Sequence, residues 1–160
     1  ERFLEAGFSV ETAIRMMNSA MVMKGENDLY STVDLCRLDL YGGTADFYKI
    51  GAAATFLKRG DSVECMTSAN LPVGAKTQIE IETGSRKLEN GDFVVMMTDG
   101  VLEYLHVPKP EETMQEIIES IQTNNPGILA KKIMERVMLF TGGKVRDDMT
   151  VLAACIWEKA

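Results

Sequence analysis

Histidine is nearly absent from this chain: His106 stands alone among 160 residues. No Ser-His-Asp spacing surrounds it, so nothing points to a hydrolase built on that relay. Cysteine is scarce as well. Cys36, Cys65 and Cys155 are odd in number and far apart, each in an apolar stretch. Buried, reduced thiols in a cytosolic protein fit that pattern better than a disulfide framework or a zinc cluster. Basic residues are outnumbered, 17 Lys and Arg against 24 Asp and Glu, giving a formal charge of −7. No basic stripe offsets it, so neither nucleic acid nor an anionic membrane surface is an expected partner. No apolar run reaches the length of a membrane span, and no signal peptide is visible. The length suits one domain with a real core. The chain starts at Glu1 inside what reads as helix, so it is expected to be a piece of something longer.

What is there centres on Phe93-Val94-Val95-Met96-Met97, followed by Thr98, Asp99 and Gly100. A short continuous apolar run between turn signals reads as a strand buried on both faces. It delivers Asp99 at the end of a rigid element, where a carboxylate must be solvated, hydrogen-bonded or bound to a cation. Asp99-Gly100 is either a plain turn or the start of a metal site. A second acidic pair, Asp147-Asp148, precedes another apolar run, Met149 to Trp157, read as a closing buried strand. If the two strands are antiparallel neighbours, both acidic groups reach one edge, and oxygen ligands there suit magnesium or manganese.

Around these strands the pattern predicts a helix after a Ser9 N-cap, running to about Met23. Val10, Ala13, Ile14, Met17, Ala20 and Met21 form its stripe, widened by Met16, Val22 and Met23. Its methionines either fill core or serve an adaptable interface. Thr32 to Leu40 alternates, with Cys36, Leu38 and Leu40 inward, and turns at Tyr41 to Thr44 into Ala45–Ile50. Gly51-Ala52-Ala53-Ala54 permits close backbone approach. A second hairpin joins Thr55–Lys58 to Ser62–Met66 about Arg59-Gly60-Asp61, a turn rather than an adhesion motif. Ser68 to Lys76 is irregular, and Ile79 to Thr83 reads as a half-exposed strand. Two helices follow, with Met114, Ile117, Ile118 and Ile121 on one stripe and Leu129, Ile133, Val137 and Phe140 on the other. Strands grouped between helices indicate an α+β fold of two sheets with helices outside. His106 reads as a surface residue. An acidic calcium-binding domain is disfavoured, because no EF-hand spacing occurs.

Asp-Gly after an apolar strand, then Arg146-Asp147-Asp148-Met149-Thr150 before the last strand, resembles the metal-dependent PP2C-type (PPM) protein phosphatases, most of all their bacterial branch. The hairpin Leu38 to Gly43 and the segment Gly51 to Ala54 add to the likeness, which covers the whole chain. The resemblance implies a PP2C-like αββα sandwich of two mainly antiparallel sheets, with residues 1–160 forming a single domain. It implies two Mn2+ or Mg2+ ions in an intact domain, with Asp99 and Asp147 as ligands and Asp148 beside them, where many eukaryotic relatives carry Asn. Gly100 would let the backbone pass close to the site. Catalysis would fall to metal-activated water, without a protein nucleophile. The family's first metal motif and earliest strands are absent, so the chain is expected to bind metal weakly and to turn over little. The helix bearing Met16, Met17 and Met21 takes a regulatory role, and self-association is possible. In the sporulation members the implied substrate is a phosphorylated anti-anti-sigma factor, whose dephosphorylation frees a sigma factor. The implied full-length protein is membrane-anchored, meets the division septum through its tubulin-like protein, and holds this domain in the cytoplasm as a soluble part. The competing reading is a non-catalytic, phosphatase-like interaction module.

Overall fold

A computed structural model describes residues 2–24, 29–140, 142 and 148–157, which form two compact units. The first unit draws on 1–52 and 68–87, the second on 53–67 and 88–160. Both sheets are antiparallel and carry helices, so the expected α+β class with two antiparallel sheets is what is found.

In the first unit, β1 (Val33–Asp39), β2 (Thr44–Ile50) and β5 (Glu82–Lys87) pair in the order β1-β2-β5. Asp39 closes the first hairpin: its Oδ1 accepts from the backbone N–H of Tyr41 (3.0 Å) and Gly42 (2.9 Å). The strand therefore ends at Asp39, and Leu40, expected to face a core, is exposed in the turn. Cys36 and Leu38 are half-buried on one face of β1. On the other, Val33 and Leu35 pack against Val10, Ile14, Tyr48, Ile50, Val73 and Ile79.

Two helices precede this sheet, α1 (Arg2–Glu5) and α2 (Val10–Lys24). Ser9 caps α2 as expected, its Oγ accepting from the Thr12 N–H at 3.2 Å. The buried stripe differs from the expected one. Met17 and Ala20 are exposed, and Asn18 takes their place at 1% exposure. Asn18 is tolerated there because its amide is fully used. It donates to Lys76 O (2.9 Å) and Thr77 O (3.2 Å) and accepts from the Gly74 N–H (2.9 Å). Arg15 adds a bond to Ile79 O at 3.1 Å. The irregular segment before β5 is thus tied to α2 by side chains. The strand expected over Ile79–Thr83 begins only at Glu82 and continues to Lys87. Its sequence, ETGSRK, holds no large apolar residue; backbone pairing with β2, Thr44 opposite Lys87 through Lys49 opposite Glu82, makes it a strand. Gly51 (φ +59) leaves the sheet where a Cβ would lie 3.1 Å from the Pro72 backbone, so the close approach expected of this segment is real.

The second unit orders β4 (Ser62–Met66), β3 (Thr55–Arg59), β6 (Phe93–Met97) and β7 (Val151–Cys155) side by side. Phe93, Val95 and Met97 on β6 meet the stripes of α4 (Pro110–Ser120) and α5 (Pro126–Phe140): Met114, Ile117 and Ile118 from one, Leu129, Ile133 and Val137 from the other. Asn125 caps α5, its Oδ1 accepting from the Ile128 N–H at 3.1 Å. Phe140, expected on the stripe, is exposed on the last residue of α5, one step past the core that ends at Val137. β6 is a central strand, as expected. β7 is not buried on both faces: among the described residues it is an edge strand paired with β6, and Leu152 is 54% exposed. Arg59 and Asp61 are both engaged, which fits a structural turn. Arg59 meets Asp92 and Glu89, and Asp61 accepts from Gln122 Nε2 at 2.8 Å. No helix among the described residues is long and apolar enough to cross a membrane.

Asp92 opens β6 at 1% exposure, accepting from Arg59 Nε (2.9 Å), a second Arg59 nitrogen (2.7 Å) and the Glu89 N–H (2.7 Å). Asp92→Ala removes a buried acceptor of three bonds and is expected to cost about 3 kcal/mol, read as a lowered urea midpoint. The cysteines are half-buried and in no disulfide, less enclosed than the sequence suggested. Burial first, then the Asp34 and Asp46 carboxylates, push the Cys36 thiol up to about 11. At pH 8 only about one Cys36 in a thousand is then thiolate. Iodoacetamide labelling followed by mass spectrometry should find Cys36 slow at pH 8 and accelerating as the pH approaches 11.

Candidate metal centre

The site begins with strand register. Met97 sits opposite Val151 on the antiparallel β6–β7 pair, and the Thr98 N–H carries the ladder one step further to Thr150 O at 3.1 Å. Whatever follows β6 and whatever precedes β7 therefore emerge at the same end. Asp99 follows β6 as the first residue of the short helix α3 (Asp99–Glu103). Its Oδ1 accepts from the Gly100 N–H at 2.9 Å, and the side chain is exposed. Asp148 lies just ahead of β7 and is exposed as well. Asp147 falls outside the described residues.

Two neighbours of Asp99 touch the Asp148 backbone. Thr98 Oγ1 donates to Asp148 O at 3.3 Å and accepts from the Thr150 N–H at 2.9 Å. Gly100 is buried, and a Cβ added there would lie 2.7 Å from Asp148 O, nearer than a real Cβ contact allows. Gly100 is thus the residue that lets the α3 backbone lie against the acidic segment. Thr98 and Thr150 stand inside the motifs quoted above, but the sequence assigned neither a role. The only signal was a threonine before Asp99 and another two residues after Asp148.

The structure so far brings together Asp99 and Asp148. Among the described residues no group of three His, Cys, Asp or Glu is poised to hold an ion. The donors gathered here are carboxylate and carbonyl oxygens, the ligand type for a hard divalent cation rather than for zinc in a thiolate cage. His106 is exposed, with a left-handed backbone (φ 50). Met16 and Met17 are 42% exposed on α2, and Met21 is half-buried against the core of its unit.

Residues 1–157 match the family model of stage II sporulation protein E (SpoIIE). The chain is 35% identical over 157 residues to stage II sporulation protein E of Bacillus subtilis strain 168, covering 98% of this chain. It spans about a fifth of that relative's length, 19%. Among solved structures it is similar to the phosphatase domain of the cell fate determinant SpoIIE from Bacillus subtilis, presoaked with manganese (TM-score 0.77, 31% identity, 99% of this chain and 72% of that one). It is similar also to the PP2C phosphatase domain of SpoIIE with a fragment of its regulatory domain (TM-score 0.86, 35% identity, 95% of this chain and 46% of that one). The fold is that of a PP2C phosphatase domain.

Since the clash at Gly100 is with backbone rather than with a flexible side chain, Gly100→Ala must push the segment at Asp148 aside. The expected cost is about 1–3 kcal/mol, measured by urea unfolding.

Proposed function

This chain belongs to the stage II sporulation protein E family of PP2C-type phosphatases, and from that premise we propose that it is the metal-dependent part of a protein serine phosphatase. The carrying observation is the β6–β7 register, which sends Asp99 and Asp148 to one edge. In this reading Asp99 and Asp147 are the ligands of a Mn2+ or Mg2+ ion, Asp148 stands beside them, and Gly100 gives the backbone its passage. When bound, the metal pair supplies a water of lowered pKa and neutralises charge on the phosphoryl oxygens. The residues of this chain hold and orient; none acts as nucleophile, in keeping with a single histidine.

The proposed substrate is phosphoserine on a small regulatory protein of the anti-anti-sigma factor type, so that hydrolysis leads to release of a sigma factor during sporulation. Association with a division-septum protein and attachment to the membrane are proposed for the full-length protein. Residues 1–160 are proposed to belong to one PP2C-like domain. Helix α2 is the proposed regulatory element. Exposed Met16 and Met17 offer an adaptable surface, self-association included, while half-buried Met21 and the Asn18 bonds fix the other face. Two carboxylate ligands, Asp99 and Asp147, are too few to satisfy two octahedral ions, so the chain on its own is proposed to bind metal weakly and turn over slowly.

The test is a manganese titration of phosphate release from a phosphoserine protein. It is run on this chain and on one extended at its N-terminus to add the family's first acidic motif. Activity is expected in the longer chain, with Asp99→Asn lowering it by about 100-fold or more, as loss of a metal ligand should. Activity in neither chain, or a rate indifferent to Asp99→Asn, overturns the reading.

A further inference from the structure

We propose that Thr98 is a positioning residue whose hydroxyl sets the distance between Asp99, the acid after β6, and Asp148, the acid just before β7. The proposal rests on the metal-edge reading above and deepens it. Along the chain, Asp99 and Asp148 are separated by α3, α4, α5 and their loops. Something local has to hold them in register. The β6–β7 ladder ends at Thr98 N–H to Thr150 O. Beyond that point the chains are free to splay.

The Thr98 side chain continues the pairing where the backbone ladder stops. One hydroxyl serves both sides of the gap, accepting from the Thr150 N–H (2.9 Å) and donating to Asp148 O (3.3 Å). A hydroxyl can do both at once because it has one proton and two lone pairs. Gly100 completes the seat from the far side of Asp99, its missing Cβ leaving room for the same Asp148 carbonyl. The flanking residues of Asp99 thus grip the acidic segment, while the carboxylate of Asp99 points to neither bond. These bonds are exposed, so they contribute little to folding stability. Their effect is on geometry, and a divalent ion that tolerates only narrow ligand placement is sensitive to that.

The experiment compares Thr98→Val, which keeps the shape and loses the hydroxyl, with Thr98→Ser, which keeps the hydroxyl. Manganese binding to this chain is followed by the loss of the free-ion electron paramagnetic resonance signal, the hydrogen exchange of the Thr150 amide is followed without metal, and the urea midpoint is recorded for each variant. Thr98→Val is expected to weaken manganese binding about tenfold and to speed Thr150 exchange, at an unchanged midpoint; Thr98→Ser is expected to match the parent. Thr98→Val binding manganese like the parent while Asp99→Asn binds it more weakly overturns the role of Thr98 and spares the metal reading. A serine variant as weak as the valine variant, or a midpoint that falls in step with affinity, overturns it too by pointing to packing. Binding indifferent to Asp99→Asn overturns the metal edge and the positioning role together.

Discussion

The antiparallel register of β6 on β7 is the constraint from which the candidate site follows. Side chains alternate along a strand, so a slip of one residue would turn every one of them to the opposite face. The pairing is held against such a slip by what it buries. Phe93, Val95 and Met97 lie opposite Cys155, Ala153 and Val151, and this row meets the helices α4 and α5. Large residues on β6 face small ones on β7, which lets the helices seat closely on that face. The far end is pinned as well: Gly91 N–H bonds Ile156 O and Ile156 N–H bonds Asp92 O, both at 2.8 Å. With both ends fixed, packing brings the backbones at Asp99 and Asp148 to one end, where the Thr98 hydroxyl and Gly100 complete their placement.

Much of this was legible in the sequence because apolar pattern and turn chemistry agree there. The uninterrupted apolar run Phe93–Met97, bounded by turn signals, has the length typical of a buried strand and is short for a core helix. The stripes Met114, Ile117, Ile118 and Leu129, Ile133, Val137 read directly onto the core. Polar strands are a different matter. β5 carries ETGSRK and becomes a strand because β2 offers a ladder, a fact about a partner that its own residues do not express. On α2 the eye followed hydrophobicity to Met17 and Ala20, whereas the helix buries Asn18, whose amide satisfies three backbone groups of the segment before β5. A polar side chain that is fully bonded competes for a buried position on equal terms, and no hydropathy count registers the bonds in advance.

The site divides along the same line. Asp99 and the Asp147–Asp148 pair stood out because charge at the end of an apolar run is unusual, and Gly100 because it follows one of them. Thr98 was invisible for the opposite reason. Threonine is at home in any strand, and nothing in the string distinguishes a hydroxyl that bridges Asp148 O and the Thr150 N–H from one that faces water. Residues that carry charge announce themselves; those that hold the charge in place show only in coordinates.

Two aspartates bracket β6, and their different surroundings separate structure from chemistry. Asp92 enters the strand buried, and its charge is matched by the Arg59 guanidinium and the Glu89 N–H. A buried carboxylate without such partners would be strongly destabilising, so this acid is committed to the fold. Asp99 leaves the strand exposed, as does Asp148 across the pair. Exposed carboxylates repel one another only weakly in water, a cost that a surface edge can carry. A carboxylate at an exposed edge is within reach of an incoming cation, whose charge would offset such repulsion. An edge where rigid strands meet solvent is therefore where acids can be positioned by the core and remain available for chemistry. The described geometry puts Asp99, backed by Thr98 and Gly100, at such an edge.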